Sequence, residues 1–242
     1  MLKGQDKSSE IRVAVAANVQ FAMQEIKAGF EKETGIKIET ILGSSGQLTA
    51  QITQGAPYDI FISADMKYPF TLFTNKLAIE KPKVYARGSL VLWTMNQNIK
   101  VDKILKQLFD KKIEKIAIAN PKAAPYGVAA VHALKYFGIY DKIKDKLVYG
   151  ESIAQVNQFI VSKTADIGFT SKSVVISPNM KGKGVWEEID TSAYDPIEQG
   201  FVILKYGYDN HRKEAQAFYD FMFSQKAIKI LKKYGYKIGG DK

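Results

Sequence analysis

The sequence has no cysteine among its 242 residues. This absence excludes disulfide bonds, zinc–thiolate sites, iron–sulfur clusters and a cysteine nucleophile. Long hydrophobic runs are also lacking, since no stretch approaches the roughly 18 apolar residues that a transmembrane helix needs. Residues 1–10 are polar and charged, without the apolar segment of a signal peptide. The composition therefore leaves two possibilities, a cytoplasmic protein or one whose leader peptide has been removed.

Histidine is scarce, which limits the available catalytic chemistry. His132 and His211 are the only histidines; one falls within a predicted helix and the other in a polar turn. The sequence contains neither a Gly-x-Ser-x-Gly elbow nor a paired-histidine metal motif. An enzyme with Ser45 as its nucleophile is one alternative, but we expect a binding protein. Three aspartates are conceivable metal ligands but lie far apart in sequence: Asp59, Asp65 and Asp166.

The chain is basic, with 35 Lys and Arg against 25 Asp and Glu and a net charge of +10. Such a charge could indicate a nucleic-acid-binding module. The lysines, however, are spread over predicted helix surfaces such as residues 100–115 and 142–146, together with acidic residues and with little arginine. We interpret them as solvated helix faces, and we expect no nucleic-acid partner.

Hydrophobic segments alternate between strand-like and helix-like patterns along the whole chain. This alternation predicts an α/β fold with mostly parallel sheets. The predicted strands are residues 12–16, 37–42, 60–63, 90–95, 115–119, 147–149, 167–170 and 199–205. The predicted helices are residues 19–34, 46–54, 66–75, 104–109, 127–137, 139–144, 153–162, 214–223 and 225–234.

A weak internal similarity favours two lobes. Residues 56–63 (APYDIFIS) and residues 164–171 (TADIGFTS) both follow a predicted helix. We expect the chain to cross between the lobes near residues 87–90 and 194–199. Residues 176–186, which include one proline and two glycines, are predicted to form a surface loop.

Three times a buried strand leads through a loop of small, uncharged residues into a helix. The strand and loop segments are residues 13–18 (VAVAAN), 40–46 (TILGSSG) and 116–127 (IAIANPKAAPYG). The first turn of a helix carries backbone N–H groups without intrahelical partners, and the helix dipole makes that end positive. Several such ends directed at one point would form an anion-binding site built from neutral groups.

Residues 43–46 (GSSG) are the sharpest local signal. Glycine lets the backbone approach a ligand closely, and a serine hydroxyl adds a donor at the helix start. An ordinary serine N-cap is an equally good interpretation of this segment alone. It is not a phosphate-binding P-loop, because the Gly-x4-Gly-Lys-Ser/Thr spacing is absent.

Three further residues stand at predicted helix starts, and each has a purely structural alternative. Asn18 is either an N-cap or an amide donor to a bound oxygen. The ring of Tyr126 suits packing, whereas its backbone N–H is well placed for a ligand. Ile153 follows Ser152, a predicted N-cap, and only its N–H is a candidate donor. All three are candidate hydrogen-bond donors at helix starts, and this agreement favours a ligand site.

The proposed loops contain no arginine, and Lys122 is their only lysine. A pocket with a carboxylate would accept the proton of a protonated oxyanion, whereas a pocket of donors alone favours a fully deprotonated dianion. Glu151 lies near the predicted helix start at Ile153, and if its carboxylate pointed into the pocket it would repel such a ligand. The residues therefore predict a donor-only pocket for a dianion.

At these positions the chain resembles the periplasmic molybdate/tungstate-binding proteins, the ModA-type solute receptors of ABC importers. The resemblance extends over about residues 12–238 and includes several motifs in the family order. They are residues 15–18 (VAAN), 43–46 (GSSG), 55–65 (GAPYDIFISAD), 125–127 (PYG) and 233–236 (KYGY).

The resemblance implies a type II periplasmic-binding-protein fold of two α/β lobes, each a mixed, mostly parallel sheet flanked by helices. Residues 1–88 and 197–242 would form lobe 1, residues 89–196 would form lobe 2, and the ligand would bind in the cleft between them. It further implies a periplasmic monomer whose leader peptide is absent from this sequence. Its partner would be the membrane permease of an ABC importer, and it would need no cofactor.

The resemblance also implies the ligand and its contacts. The ligand would be molybdate or tungstate, held by hydrogen bonds to its oxygens; sulfate or a small organic carboxylate is the alternative. The implied contacts are Ala17, Asn18, Ser45, Tyr126 and Ile153, with no other metal site. Ser171 stands where one variant of the family has a donating tyrosine, and whether Ser171 or Lys122 contacts the ligand stays open.

Overall fold

A computed structural model describes residues 9–239 as two five-stranded sheets flanked by helices. In chain order the strands are β1 (Glu10–Ala16), β2 (Lys37–Gly43), β3 (Ile60–Ile62), β4 (Lys83–Gly88), β5 (Leu90–Thr94), β6 (Ile116–Ala119), β7 (Leu147–Gly150), β8 (Ile167–Ser171), β9 (Val185–Glu188) and β10 (Ile197–Ile203). The helices are α1 (Gln20–Thr34), α2 (Ser45–Thr53), α3 (Lys67–Thr74), α4 (Pro125–Tyr136), α5 (Tyr140–Ile143), α6 (Ile153–Val161), α7 (Lys172–Val175), α8 (Lys205–Asn210), α9 (Arg212–Met222) and α10 (Gln225–Lys233).

The two sheets share one design. The first has the strand order β2-β1-β3-β10-β4 and the second β7-β6-β8-β5-β9. In the first sheet β10 is antiparallel to both its neighbours, and in the second β5 is antiparallel to both of its own. The other strands of each sheet therefore run in one direction. The predicted α/β class with mixed, mostly parallel sheets is confirmed.

Alternate residues of the central strands pack against helices on opposite faces of the first sheet. Val13 and Val15 of β1 join the core formed with α1, α9 and α10. Ala14, between them, packs with Leu48 of α2 and Leu72 of α3. Strands that are covered on both faces read as continuous apolar runs, which explains why β1 and β3 were predictable from the sequence.

The chain passes between the sheets in two short segments. One lies between β4 and β5, at Ser89, and the other between β9 and β10, residues 189–196. The C-terminal segment returns to the first sheet, where Lys237 forms an isolated antiparallel bridge with Arg87 of β4. Residues 1–8 and 240–242 of the predicted lobe 1 lie outside the described residues.

Some predicted elements are wrong. Residues 104–109, predicted as a helix, form only a 3-10 turn at Lys106–Phe109. Strands β4 and β9 were not predicted, because edge strands such as β4 carry exposed polar positions that break the apolar pattern. β9 also begins within the predicted loop of residues 176–186. Residues 204–205, predicted to end a strand, lie beyond β10, and α8 starts at Lys205.

Candidate functional site

Four strands, two from each sheet, end at the same cleft. The carboxyl ends of β1 and β2 lead into a 3-10 helix (Ala17–Val19) and α2, and those of β6 and β7 lead into α4 and α6. The carboxyl ends of parallel strands meet at one edge of a sheet. The fold therefore brings the four helix starts, two from each lobe, to one place.

All five residues predicted as ligand contacts line one small cavity between the sheets. Each is at most 4 % exposed, which places the cavity in the interior. No charged residue is found among the described residues that line it. The lining consists of Ala16, Ala17, Asn18, Gly43, Ser44, Ser45, Ala64, Ala124, Pro125, Tyr126 and Ile153.

The sequence left open whether the GSSG segment provides an N-cap or a ligand contact, and its two serines differ in this respect. Ser44 is the N-cap of α2, and its hydroxyl and backbone N–H form a capping box with Gln47. Ser45 is the first helical residue and is fully buried. Its Oγ accepts a hydrogen bond from the Ala64 N–H at 3.0 Å. A hydroxyl that accepts through its oxygen still has its own hydrogen to donate.

Backbone amides in the second lobe complete the donor set. Pro125 is the first residue of α4 and has no N–H, so Tyr126 supplies the first amide of that helix. Ile153 is the first residue of α6, and Ser152 at its N-cap makes no side-chain cap hydrogen bond. Amides of a first helical turn have no acceptor within their own helix. The N–H groups of Tyr126 and Ile153, like that of Ser45 at the start of α2, are therefore candidate donors to a ligand in the cavity.

The Asn18 side chain lies in a buried network. Its Nδ2 donates to Gln199 Oε1 at 2.8 Å and to Tyr236 Oη at 3.1 Å. Its main-chain carbonyl accepts from the hydroxyls of Ser173 (2.6 Å) and Ser171 (3.3 Å). The Asn18 Oδ1 is buried and has no hydrogen-bond partner within residues 9–239. Of the two alternatives for Asn18, the N-cap does not hold, because its side chain caps neither the 3-10 helix nor α1.

Hydrogen bonds across the cleft hold the lobes together. The Gly46 N–H donates to the Ala123 carbonyl at 2.8 Å, and the Tyr68 hydroxyl donates to the Lys122 carbonyl at 3.2 Å. Glu151 accepts from Gln47 Nε2 at 3.0 Å instead of lining the cavity. The Lys122 side chain is exposed. The structure thus shows a closed arrangement of the two lobes.

Comparison with known proteins places this arrangement in a family. The model of the family described as "Bacterial extracellular solute-binding protein" matches residues 11–237. This chain belongs to that family.

Individual relatives of this solute-binding protein agree over almost its whole length. It is 38% identical to the molybdate-binding protein ModA of Azotobacter vinelandii, over 95% of this chain and 90% of the relative. It is 30% identical to a putative ABC transporter substrate-binding lipoprotein, YvgL, of Bacillus subtilis, over 96% of this chain and 87% of the relative. The solved structure of the periplasmic molybdate-binding protein of Azotobacter vinelandii superposes with a TM-score of 0.89 at 34% identity, covering 94% of this chain and 99% of that one. The predicted family and the two-lobed fold of periplasmic binding proteins are confirmed.

The histidines of this solute-binding protein lie outside the cavity. His132 Nδ1 pairs with Asp195 Oδ2 at 3.2 Å, and His211 Nδ1 pairs with the buried Asp59 at 2.8 Å. Neither lines the cavity that contains Ser45. Among residues 9–239 no group of three or more His, Cys, Asp or Glu side chains could hold a metal ion. A search of the same residues finds no helix long and apolar enough to span a bilayer.

Buried tyrosines surround the Gln199 side chain next to the cavity of this solute-binding protein, and no sequence motif predicted their arrangement. Gln199 Oε1 accepts from the Tyr85 hydroxyl at 2.6 Å, and Gln199 Nε2 donates to Tyr126 Oη at 3.4 Å. Burial raises the pKa of Tyr85 and Tyr126 well above its ordinary value. Burial also raises the pKa of Tyr236 to about 12, against the hydrogen bonds that lower it.

The buried phenols predict a loss of stability at high pH. The pKa of Tyr236 rises from its ordinary value of 10.0 to about 12 in the fold, so the neutral phenol stabilises the fold fully below pH 10. That contribution, on the order of 2–3 kcal/mol, is lost as the pH rises through about 12. Denaturant unfolding across this alkaline window should show the free energy of unfolding falling, and Tyr236→Phe should reduce the slope. An unchanged slope in the variant would contradict the assignment to Tyr236.

Proposed function

We propose that this protein is the extracytoplasmic receptor of an ABC importer and binds molybdate or tungstate between its lobes. The observation that carries the proposal is the small uncharged cavity lined by Ser45, Tyr126 and Ile153, whose helix-start N–H groups are candidate hydrogen-bond donors from both lobes. A tetrahedral dianion offers only acceptors, and such donors match it. The names of the relatives support the same ligand class and the importer.

The proposed contacts are the five predicted ones, Ala17, Asn18, Ser45, Tyr126 and Ile153. Ala17 would donate its backbone N–H, Asn18 its backbone N–H and its side-chain amide, and Ser45 its hydroxyl and N–H. Hydrogen bonds to a charged group contribute about 1.5–3 kcal/mol each. Several together outweigh desolvation and closure, so we expect a dissociation constant of about 1 µM or lower. The anion is transported ligand, and the protein performs no reaction on it.

The proposed moving bodies are residues 1–88 with 197–242 and residues 89–196, connected by the two crossings. Because donors from both bodies must reach one anion, binding stabilises the closed arrangement over an open one. The membrane permease would recognise that closed form. We further propose that the protein is a periplasmic monomer that needs no cofactor and binds no nucleic acid.

Isothermal titration calorimetry with molybdate, tungstate, sulfate and phosphate tests the ligand class. We expect one-to-one binding of molybdate and tungstate, with sulfate weaker by about 100-fold, or roughly 2.8 kcal/mol. Tight sulfate binding would instead support the alternative receptor for a smaller anion. Absence of binding to all four would overturn the proposal and turn the search to organic carboxylates. The His132→Ala variant is the control, because its imidazole pairs with Asp195 outside the cavity, and it should bind like the wild type.

A further inference from the structure

The Asn18 side-chain amide uses its donor end for protein partners, so that end is not available to a bound dianion. This inference rests on the proposed function. The donor end of the amide, Nδ2, is used by Gln199 and Tyr236. Its acceptor end, Oδ1, belongs to a residue that is 2 % exposed and lines the cavity, yet no described residue donates to it. A bare carbonyl oxygen beside an acceptor-only anion is repulsive.

Gln199 determines this orientation because it has a partner at each end of its own amide. Its Oε1 accepts from Asn18 Nδ2 and from the Tyr85 hydroxyl, and its Nε2 donates to the Tyr126 hydroxyl. The side chain is fully buried on β10, beneath the cavity. Because Gln199 directs its Oε1 toward Asn18, Asn18 must direct its Nδ2 toward Gln199 to form the hydrogen bond.

The same positions support a second arrangement, in which Asn18 Oδ1 has donors. If both amides turn over, Gln199 Nε2 donates to Asn18 Oδ1 and to Tyr85 Oη, and Gln199 Oε1 accepts from the Tyr126 hydroxyl. The Tyr236 hydroxyl, which lies 3.0 Å from the Asn18 carbonyl oxygen and donates to it, then donates to Asn18 Oδ1 instead, while Ser173 continues to donate to that carbonyl. The inverted arrangement removes the orphaned acceptor and frees Asn18 Nδ2 to donate to the ligand.

We propose that Gln199 is a positioning residue that couples the Asn18 and Tyr126 sides of the site, and that a dianion binds the arrangement in which both amides are inverted. Gln199 makes no contact with the anion, since it does not line the cavity. It acts by deciding which end of the Asn18 amide the ligand meets. Asn18 of the first lobe and Tyr126 of the second lobe thereby both depend on the orientation of the Gln199 amide.

Two substitutions separate the direction of the amide from its mere presence. In Gln199→Met the network loses its polar centre, Asn18 keeps both orientations, and molybdate affinity should fall about 10-fold. In Gln199→Glu the carboxylate only accepts, which locks Asn18 Nδ2 inward, and affinity should fall about 100-fold or more. Equal losses in the two variants would overturn the proposal.

The negative charge of Gln199→Glu could weaken anion binding by itself, so the pair is repeated in an Asn18→Ala background. If Gln199 acts through Asn18, the difference between the Met and Glu variants should vanish there, as a double-mutant cycle measures. A difference that persists undiminished would mean charge repulsion and would overturn the proposal. Circular dichroism of each variant establishes that it folds.

Neutron diffraction of the perdeuterated wild-type protein needs no variant. With molybdate bound, deuterons on Asn18 Nδ2 should point at the anion and those on Gln199 Nε2 at Asn18 Oδ1. Molybdate bound with Gln199 Nε2 still directed at Tyr126 would overturn the inference and leave the proposed function intact. Failure of the wild type to bind molybdate in calorimetry would instead overturn the proposed function.

Discussion

The Gly46→Ala variant is expected to bind molybdate about 100-fold more weakly than the wild type, or on the order of 3 kcal/mol. A Cβ at this position would lie 2.9 Å from both Cα and the carbonyl oxygen of Ala123, which are backbone atoms of the opposite lobe. It would also lie 2.8 Å from the Tyr68 hydroxyl, which can rotate away because it ends a side chain. The clash with Ala123 exists only when the lobes close, so calorimetry should show the loss in the bound state.

The ligand-free Gly46→Ala protein should be as stable as the wild type, or slightly more so, because alanine suits a helix better than glycine. Gly29→Ala is the matched control. Its Cβ would meet Phe221 at 3.3 Å within the first lobe, whatever the state of the cleft. That variant should alter the free energy of unfolding and leave molybdate affinity unchanged. An unaltered affinity in Gly46→Ala would mean that the arrangement seen across the cleft is not the one that binds.

The Ser45→Ala variant should lose about 1–3 kcal/mol of binding free energy, roughly 5- to 150-fold in affinity. Its hydroxyl accepts from the Ala64 N–H and has its hydrogen free for an anion in a cavity without charge. The substitution removes that donor and deprives a buried N–H of its acceptor. Calorimetry with molybdate measures the first effect, and denaturant unfolding of the free protein measures the second.

Ser224→Ala controls for the general cost of losing a helix-start serine. Ser224 is the N-cap of α10, accepts from the Ala227 N–H and does not line the cavity. Its loss should cost about 0.5–2 kcal/mol of stability without changing the affinity for molybdate. If both serine variants lowered stability alone, the Ser45 hydroxyl would not be a ligand contact. If the wild type turned over a substrate and Ser45→Ala did not, that result would support the enzyme alternative.

The cavity was predictable because its parts are local in sequence. Each unit of buried strand, small-residue loop and helix start can be read within about a dozen residues, as at residues 40–46 and 116–127. Parallel strands then place the ends of such units at one edge of their sheet. The helix starts at these positions could thus be predicted from local patterns, whereas the choice of Ser45 within its segment came from the family resemblance.

The buried network around Gln199, next to the cavity, could not be predicted from such local patterns. Gln199 meets Asn18 across 181 positions and Tyr85 across 114, and no short motif marks either pairing. A glutamine in a strand is usually a surface residue, whereas here it is fully buried. Tyr236 was noted only within the closing segment of residues 233–236, without a role.

The position of β10 has a consequence for how the chain acquires its structure. β10 is inserted between β3 and β4, pairing Ile203 with Ile60, so the first sheet is not continuous until residues near the C-terminus have been made. The second sheet uses only residues 90–188 and can form before synthesis ends. Long-range pairing is slow because loop closure must precede it. We therefore expect the second lobe to fold first and the first lobe, with Gln199 and the ligand cleft, to form last.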